Sequence, residues 1–389
     1  MDKKQISAAL KKNAMLIVLV LVYLFFLILT KGGIFSPSSF TELINQNAYV
    51  YILGAGMLMC MLTGGNIDLS CGAFVCLLGA FGGVFMIVQG LGTGVSILLL
   101  LLIGVLYGCV LGYLIAYVHI PPWIATLAGY LAFRGLGTSI LSANSKTGSL
   151  APFPLDFQNL FYGRIFQTEK GVLNMPCFLF GLAAAAAVAL IIFLNRKSRL
   201  AKGYEADTVK AAALKSILGG AVIILVMTQL ALDGGIPTTL LWVAGIVLIY
   251  SFITGKTTVG RHFYVVGGNM EAARLSGVNT RRVMFLAYLN MAVLTSIATF
   301  TVIARSQSAY ADVGKNFEMD AISACVVGGV SASGGAGTVL GMVIGATLIG
   351  VINLGMSLIS LDANYQRVVK GFVLLAAVVF DILSKQKEK

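Results

Sequence analysis

Charged side chains are scarce in this sequence. Only 11% of its 389 residues are Asp, Glu, Lys or Arg, and 58% are hydrophobic. A soluble domain carries about 25% charged residues, so this composition excludes an ordinary string of soluble domains. The apolar runs are continuous rather than alternating, which favours membrane helices over a β-barrel. The sequence therefore predicts a single all-α membrane domain covering residues 1–389.

Metal ligands are also few. The chain has two histidines, His119 and His262, and six cysteines without paired metal-ligand spacing. This predicts no metal site, and the cysteines are interpreted as small apolar core residues. A membrane-embedded enzyme would need a polar cluster such as paired His and Asp, so we expect no enzymatic activity. The six cysteines are Cys60, Cys71, Cys76, Cys109, Cys177 and Cys325.

A nucleotide-binding loop is missing as well. The stretch Thr254, Gly255, Lys256 and Thr257 resembles the end of a phosphate-binding loop, but Tyr250 occupies the position of its required first glycine. The stretch also follows directly after an apolar run. The chain should therefore hold no cofactor of its own. If ATP drives its activity, a partner subunit must bind the ATP and magnesium.

Apolar runs long enough to cross a bilayer are abundant. They predict about twelve transmembrane helices, because about 20 residues cross the hydrocarbon core. The first run follows a basic start, as in a signal peptide, but no small-x-small cleavage site follows it, so we predict a retained helix. The run at residues 321–330 is short, which suggests a broken or re-entrant helix. The runs cover residues 14–30, 48–62, 69–88, 95–118, 123–141, 176–194, 217–232, 238–253, 283–303, 321–330, 339–361 and 365–383.

Positive charge is concentrated in a few segments, although the net charge is +12. Residues 195–215 and 255–282 and the two termini carry most of it, which follows the positive-inside rule. An even number of spans would then place both termini in the cytoplasm. We interpret the charge as a sign of topology rather than of nucleic-acid binding. The basic terminal residues are Lys3, Lys4, Lys11, Lys12, Lys385, Lys387 and Lys389.

The opposite side has one long connecting segment, residues 142–175. A loop of this length usually has a role. Its aromatic residues allow two interpretations, a docking surface for an external partner or a lid packed on its own protein. Arg134, just before it, is the main candidate for an intramembrane charge and could snorkel from the outer end of its span.

Two glycine-rich segments interrupt the apolar runs. The first contains Asn66, Asp68 and Ser70, where Asp68 either faces an aqueous pathway or only caps a helix in a tight turn. The second lacks a following Lys and so predicts a break between two half-buried helices rather than a phosphate loop. The helix-breaking glycines are Gly64, Gly65, Gly328, Gly329, Gly334, Gly335 and Gly337.

A third segment, residues 256–282, contains a short predicted helix between two spans. Asn269 can cap that helix, Glu271 suits its first turn, and Gly277 suits its end. Its alanines leave a shallow surface that could seat in a groove of a cytoplasmic partner. The residues expected at this contact are Gly268, Asn269, Glu271, Ala272, Ala273, Arg274 and Gly277.

Four segments, in this order, resemble the sugar permeases of bacterial ABC importers. The stretch GGNIDLSCG (residues 64–72) is similar to their Gly-Ile-Asp-Leu-Ser motif, with Asn66 where the family usually has Gly. Residues 121–127 resemble their Pro-x-x-Ile-Ala-Thr-Leu motif, residues 267–277 their coupling-helix signature, and residues 328–341 their late Gly-rich segment. The resemblance runs from the first span to the last.

The resemblance implies a multi-pass protein of the bacterial plasma (inner) membrane that works in an assembly. A second copy of the chain would complete the pathway, a double-cassette ATPase would dock on residues 268–277, and an external or periplasmic sugar-binding protein would deliver substrate. No nucleic-acid partner is implied. The residues assigned to the pathway are Asn66, Asp68, Ser70, Trp123 and Thr126.

An extra pair of spans at residues 202–255 makes this chain similar to the longer permeases for xylose or several monosaccharides. That suggests a pentose or hexose such as xylose, glucose, galactose or arabinose. The alternative is an ion-coupled secondary carrier, for which only Asp68 lies near a suitable position. An exporter or a purine nucleoside permease also stays open within the ABC class.

Overall fold

The computed structural model describes residues 14–206 and 208–386. The basic residues Lys3, Lys4, Lys11, Lys12, Lys387 and Lys389 lie outside them. The α-helices are α1 (Ala14–Leu29), α2 (Pro37–Leu62), α3 (Cys71–Gly83), α4 (Thr93–Ala116), α5 (Pro122–Asn144), α6 (Leu155–Tyr162), α7 (Met175–Ala201), α8 (Val209–Leu232), α9 (Thr238–Lys256), α10 (Thr258–Gly268), α11 (Met270–Leu275), α12 (Thr280–Ser306), α13 (Phe317–Val327), α14 (Val339–Leu358) and α15 (Ala363–Gln386). A 3₁₀ turn covers Gly33–Phe35, and a π-helical turn, Val84–Val88, continues α3.

Two short antiparallel ribbons tie distant loops together. Strand β1 (Ser149–Leu150) pairs with β4 (Ala309–Tyr310), and β2 (Arg164–Ile165) pairs with β3 (Ile236–Pro237). Both ribbons lie at the end of the bundle that carries α6. We call this the α6 end, and the opposite end, which carries α10 and α11, the α11 end.

The all-α membrane fold is confirmed. Among the described residues, eight helices are long and apolar enough to cross a bilayer: α3 with its π-helical turn, α4, α5, α7, α8, α9, α12 and α14. The other four predicted runs correspond to helices that differ from a simple span. Helix α1 is short, α2 begins with polar residues, α13 has only 11 residues, and α15 is amphipathic with charges in its first turns.

Helix α2 begins eleven residues before the apolar run at Ala48, at Pro37. Ser36 caps its start by accepting a hydrogen bond from Ser39 N. The polar first half is covered by protein rather than lipid, and buried Asn47 donates through Nδ2 to the Ala346 carbonyl oxygen of α14 at 2.7 Å. Hydropathy misses this half because it scores polar side chains as unfavourable in lipid, whereas here the protein covers them.

Helices α2, α12 and α14 form the centre of the molecule, with α4, α9 and α13 packed around them. Helices α7 and α8 pack on each other at the side. Only 17% of the α7 span is buried in the chain, against 72% for α14. Since apolar side chains cover its exposed surface, α7 has the surface expected of a lipid-facing helix.

The long segment at the α6 end packs on its own protein. Phe153, Phe157 and Phe161 are buried against Phe300 of α12, and Trp242 of α9 stacks on Phe161. Of the two interpretations of residues 142–175, the packed lid is the one that agrees with this burial of its aromatic residues.

Candidate functional site

Three glycine segments that are far apart in sequence meet at the α11 end. The amide of Gly335 donates to the Leu62 carbonyl oxygen at the end of α2, at 3.1 Å. A Cβ atom on Gly65 would lie 1.9 Å from the Ala332 carbonyl oxygen, and one on Gly267 would lie 1.7 Å from that of Leu62. We call Gly64, Gly65, Gly267, Gly334 and Gly335 the glycine junction. It joins α10 directly to the ends of two interrupted helices.

The expected helix breaks are present in this region. Gly64 and Gly65 end α2 with φ of 115° and 74°, in the region that glycine tolerates best. Gly328 differs, because it ends α13 with a negative φ and instead allows α14 to approach closely. The remaining glycines of the second segment with positive φ are Gly329, Gly334, Gly335 and Gly337.

Helix α13 is a half-length helix. Its 11 residues extend about 16 Å, roughly half the hydrocarbon thickness. The glycine-rich loop then leads back to the start of α14. Tyr264 of α10 donates to the Gly337 carbonyl oxygen at 2.8 Å, which fixes this loop to the α11 end. The predicted broken helix at residues 321–330 agrees with this arrangement.

Helix α11 forms as the sequence predicts. Asn269 caps it by accepting from Ala272 N at 2.9 Å, and Glu271 lies in its first turn. The chain leaves the helix at Gly277, where φ is 83° and the amide donates to the Arg274 carbonyl oxygen at 3.0 Å. The amide of Val278 also bonds back to α11, so both ends of this short helix are fixed.

One part of the predicted contact surface is wrong. Ala273 is fully buried inside the chain and cannot touch a partner, because its side chain belongs to the main hydrophobic core. The outward face carries Glu271 and Arg274, together with Leu275, which is 85% exposed. The surface is therefore a charged helix with two exposed apolar side chains, Met270 and Leu275, rather than a flat alanine face.

A cavity of about 770 Å³ lies between α11 and the turn that connects α4 to α5. Glu271 and Arg274 line one wall. Asn66 lines another, and its Nδ2 donates to the Thr63 carbonyl oxygen at 3.1 Å. The other lining residues are Thr63, Gly64, Ile115, Ala116, His119, Ile120, Pro121, Pro122, Met270, Gly277, Val278, Asn279, Thr280, Arg281 and Met284.

Asp68 lies away from this cavity and is only 1% exposed. Its Oδ1 accepts from the backbone amide of Ser70 at 2.8 Å and from the Ser70 hydroxyl at 2.5 Å. The Ser70 hydroxyl also contacts the Tyr107 hydroxyl at 2.6 Å. The geometry favours the interpretation of Asp68 as a residue that fixes the turn into α3.

The other two residues assigned to the pathway lie one turn apart on α5 and differ in exposure. Thr126 is buried and donates to the Pro122 carbonyl oxygen of its own helix at 2.9 Å. Trp123 is 57% exposed on the outside of α5. Of the five predicted pathway residues only Asn66 lines the cavity beside α11.

Arg134 is held by backbone acceptors at the α6 end. Its Nη1 donates to the carbonyl oxygens of Ala311 and Val313 at 3.0 Å and 2.7 Å. The side chain therefore reaches the loop end of its span and bonds to protein there. The turn after β4 supplies backbone acceptors that the sequence of α5 does not reveal.

A pair of buried acids at the start of α13 was not predicted. Glu318 and Asp320 are each 3% exposed. Asp320 accepts from the Tyr49 hydroxyl at 2.5 Å and pairs with Lys370 of α15 at 3.0 Å. The available signal was two acids directly before a run too short to span, since acids are favoured at the start of a helix.

Comparison with known proteins places the chain in a family. The family described as branched-chain amino acid transport system / permease component matches residues 39–378. The xylose transport system permease protein XylH of Haemophilus influenzae is 32% identical over 384 residues, 98% of each chain. Its counterpart from Escherichia coli is 30% identical over 98% of this chain and 94% of its own length.

More distant relatives include the fructose import permease protein FrcC of Rhizobium meliloti, 26% identical over 94% of this chain and 84% of its own length. No solved structure gives a significant match. The resemblance expected from the four motifs is confirmed by these alignments. The chain, with its glycine junction and capped α11, belongs to the family of branched-chain amino acid transport system permease components.

Proposed function

We propose that this chain is the membrane-spanning permease subunit of an ATP-driven importer of small sugars. The structural observation that carries the proposal is the glycine junction. It connects α11, the exposed helix between two spans, to the broken ends of α2 and of the α13–α14 pair. A force applied to α11 by a partner therefore reaches the interrupted spans through backbone contacts.

The partner that applies this force is a separate ATPase subunit, which binds the ATP and magnesium. The ATPase subunit can contact the charged outer face of α11, which projects from the surface, and the cavity beside it. Leu275 provides an apolar anchor, surrounded by the opposite charges of Glu271 and Arg274. A second copy of the chain completes the pathway, as the resemblance to the sugar permeases implies, and in one copy only Asn66 of the predicted pathway residues lines the cavity beside α11.

The proposed cargo is a pentose or hexose, delivered by an external sugar-binding protein. The support is that relatives aligned over nearly the whole chain are named xylose permeases, and a further one is a fructose permease. A binding protein that supplies selectivity permits a pathway with few specific contacts. Of the predicted pathway residues on α5, Trp123 is exposed and Thr126 is bonded within its own helix, so they offer few polar groups for a specific sugar contact.

The proposed orientation places the α11 end and both termini in the cytoplasm of the bacterial inner membrane. The positive-inside rule supports it, because the basic segments 195–215 and 255–282 lie at the α11 end. The α6 end, with its packed lid, then faces outward to the binding protein.

The alternative, an ion-coupled carrier, gains one observation, the buried acids Glu318 and Asp320. Asp320 is already bonded to Lys370 and Tyr49, so a fixed structural role accounts for it without a titrating cycle. Purification from native membranes in mild detergent separates the two functions. We expect an ATPase subunit to co-purify with the chain, whereas a carrier would be recovered alone and would move sugar in vesicles without ATP.

A pair of variants tests the coupling role of α11 in the reconstituted complex. Gly277→Val places a β-branched residue at a φ of 83°, which costs about 1–2 kcal/mol and displaces the end of α11. Gly277→Asn is the matched control, because Asn tolerates this conformation. We expect Val to reduce ATP-driven sugar uptake about tenfold or more, and Asn to change it little. Equal uptake by both variants would contradict the coupling role.

A further inference from the structure

Two adjoining basic cavities lie at the α11 end, where the end of α7 faces the end of α9. The larger has a volume of about 540 Å³ and the smaller about 190 Å³. Asn195 and Arg199 line both. The larger is also lined by Ser198, Lys202, Tyr204 and Lys256, and the smaller by Ile192, Arg196, Ala206, Ala212 and Lys215. Neither cavity belongs to the coupling site.

The larger cavity brings three cations from α7, the loop after it and α9 to one place. Arg199 comes from the last turn of α7, Lys202 from the following loop, and Lys256 from the last turn of α9. Within residues 14–206 and 208–386, none of these three side chains forms an ion pair. Among the described residues, no Asp or Glu lines either cavity. The cavity is thus positively charged.

The same cavity opens beside apolar helix surfaces. On α7, Leu194 is 54% exposed just below the basic residues, and on α9, Phe252 is 63% exposed one turn before Lys256. Basic groups at the end of a lipid-facing helix pair, next to exposed apolar side chains, match both parts of a phospholipid, its charged headgroup and its acyl chains. A soluble anion would use only the basic groups and not the apolar side chains.

We propose that this cavity binds the headgroup of an anionic phospholipid. Arg199 holds the phosphate by a forked pair of hydrogen bonds, and Lys202 and Lys256 add charge from the two sides. Ser198, Asn195 and Tyr204 donate to the remaining headgroup oxygens. The acyl chains lie on α7 and α9. The site goes beyond the transport function, because binding needs neither sugar nor ATP.

The test uses the purified full-length chain, freed of lipid in a neutral detergent, with native mass spectrometry to measure bound lipid. The probes are phosphatidylglycerol, which is anionic, phosphatidylcholine, which is zwitterionic, and inorganic phosphate. The site variant is Arg199→Gln with Lys202→Gln. The control is Lys197→Gln with Lys210→Gln, which removes the same charge from the same segment at positions that line neither cavity.

We expect the unchanged chain to prefer phosphatidylglycerol over phosphatidylcholine, and the site variant to bind phosphatidylglycerol about tenfold more weakly. The control should change by less than about twofold. Lys256→Gln alone should also weaken binding, because it approaches the same headgroup from α9. Equal gel-filtration profiles and melting temperatures establish that each variant is folded.

Three results would overturn the proposal. Equal binding of the two lipids would remove the anionic selectivity. If the site variant and its control lost phosphatidylglycerol binding equally, the binding would depend on surface charge density and not on this cavity. Inorganic phosphate that binds as tightly as phosphatidylglycerol, with the same dependence on Arg199 and Lys202, would make a free anion the occupant instead of a lipid.

Discussion

At the scale of single residues, four positions of the glycine junction leave no space for even a methyl group: Gly65, Gly267, Gly334 and Gly335. Gly267 and Gly268 are consecutive at the end of α10, yet their surroundings differ completely. A Cβ on Gly267 would meet the Leu62 carbonyl oxygen at 1.7 Å and the Gly335 amide nitrogen at 2.6 Å, while one on Gly268 would meet nothing within 4 Å. Both neighbours of Gly267 are backbone atoms, which cannot rotate away.

We therefore expect Gly267→Ala to force α10 away from α2 and to destabilise the fold by about 1–3 kcal/mol, the range for overpacking. Its melting temperature in detergent and its sugar uptake should both fall. Gly268→Ala is the matched control and should keep the melting temperature of the unchanged chain. If the two variants melt alike, the backbone contact at Gly267 does not exist.

A second single residue, Asp233, fixes the loop after α8 at the α6 end. Its Oδ2 pairs with Arg164 at 2.7 Å and its Oδ1 with Lys170 at 3.3 Å. Burial alone would raise the pKa of this carboxyl, but hydrogen bonds from Thr41 and Arg164 and the charge of Arg164 outweigh it, so the pKa lies below its usual value. The charged form is therefore favoured by folding.

The sign of the pH dependence follows from that direction. Because the folded pKa is lowered, the stabilisation is complete above the unfolded value of about 3.9 and is lost as the pH falls through the folded value. Asp233→Asn should cost about 2 kcal/mol at pH near 7, and its melting temperature should converge with that of the unchanged chain at acidic pH. Asp312→Asn, at an exposed pair with Lys315, is the control and should change little. A constant difference at all pH values would contradict the role of the Asp233 charge.

At the scale of elements, the lid depends on one face of α6. Phe157 is fully buried, with ring centroids of Phe153 and Phe161 at 5.5 Å and 5.2 Å, whereas Leu155 of the same helix is 74% exposed. Phe157→Ala should cost about 3 kcal/mol, and the segment around α6 should become sensitive to protease. Leu155→Ala is the matched control. Protection that is unchanged in Phe157→Ala would mean that the lid is held by its ribbons alone.

The elements differ in how far the sequence predicts them. Long apolar runs predicted most helices, because hydropathy records the transfer of side chains into lipid. The polar start of α2 was missed, since it is covered by the protein, where Asn47 donates to the Ala346 carbonyl oxygen rather than to water. The caps of α11 were predicted from Asn269 and Gly277, because capping is local. The inward direction of Ala273 depends on distant neighbours and was not predictable.

At the scale of the whole molecule, the α7 span provides a test of sidedness. Its 27 residues extend about 40 Å, enough to separate Lys170 and Lys197 across a bilayer. In intact cells an impermeant maleimide should label Lys170→Cys, and it should label Lys197→Cys only after the membrane is opened. The unchanged chain is the control, since its six cysteines are buried or half-buried. The reverse pattern would invert the proposed orientation.

The contact between the three glycine segments is the part of the site that local sequence patterns do not predict. Each glycine segment could be recognised alone, but the contact of Gly65 with Ala332 joins residues more than 260 positions apart. The ion pair of Asp320 and Lys370 is equally hard to predict. Its partners belong to α13 and α15, and the apolar runs of these helices do not show that they pack together. Burial and partner choice at this scale follow from tertiary packing rather than from periodicity.

The glycine junction also determines how movement passes through the molecule. Contacts between side chains can absorb a small displacement by a change of rotamer, but a contact between two backbones has no such freedom. A shift of about an ångström at α11 would therefore arrive undiminished at the end of α2 and at the loop before α14. The two interrupted helices, α2 and the α13–α14 pair, would then move together as parts of one rigid unit. Neither could shift without the other.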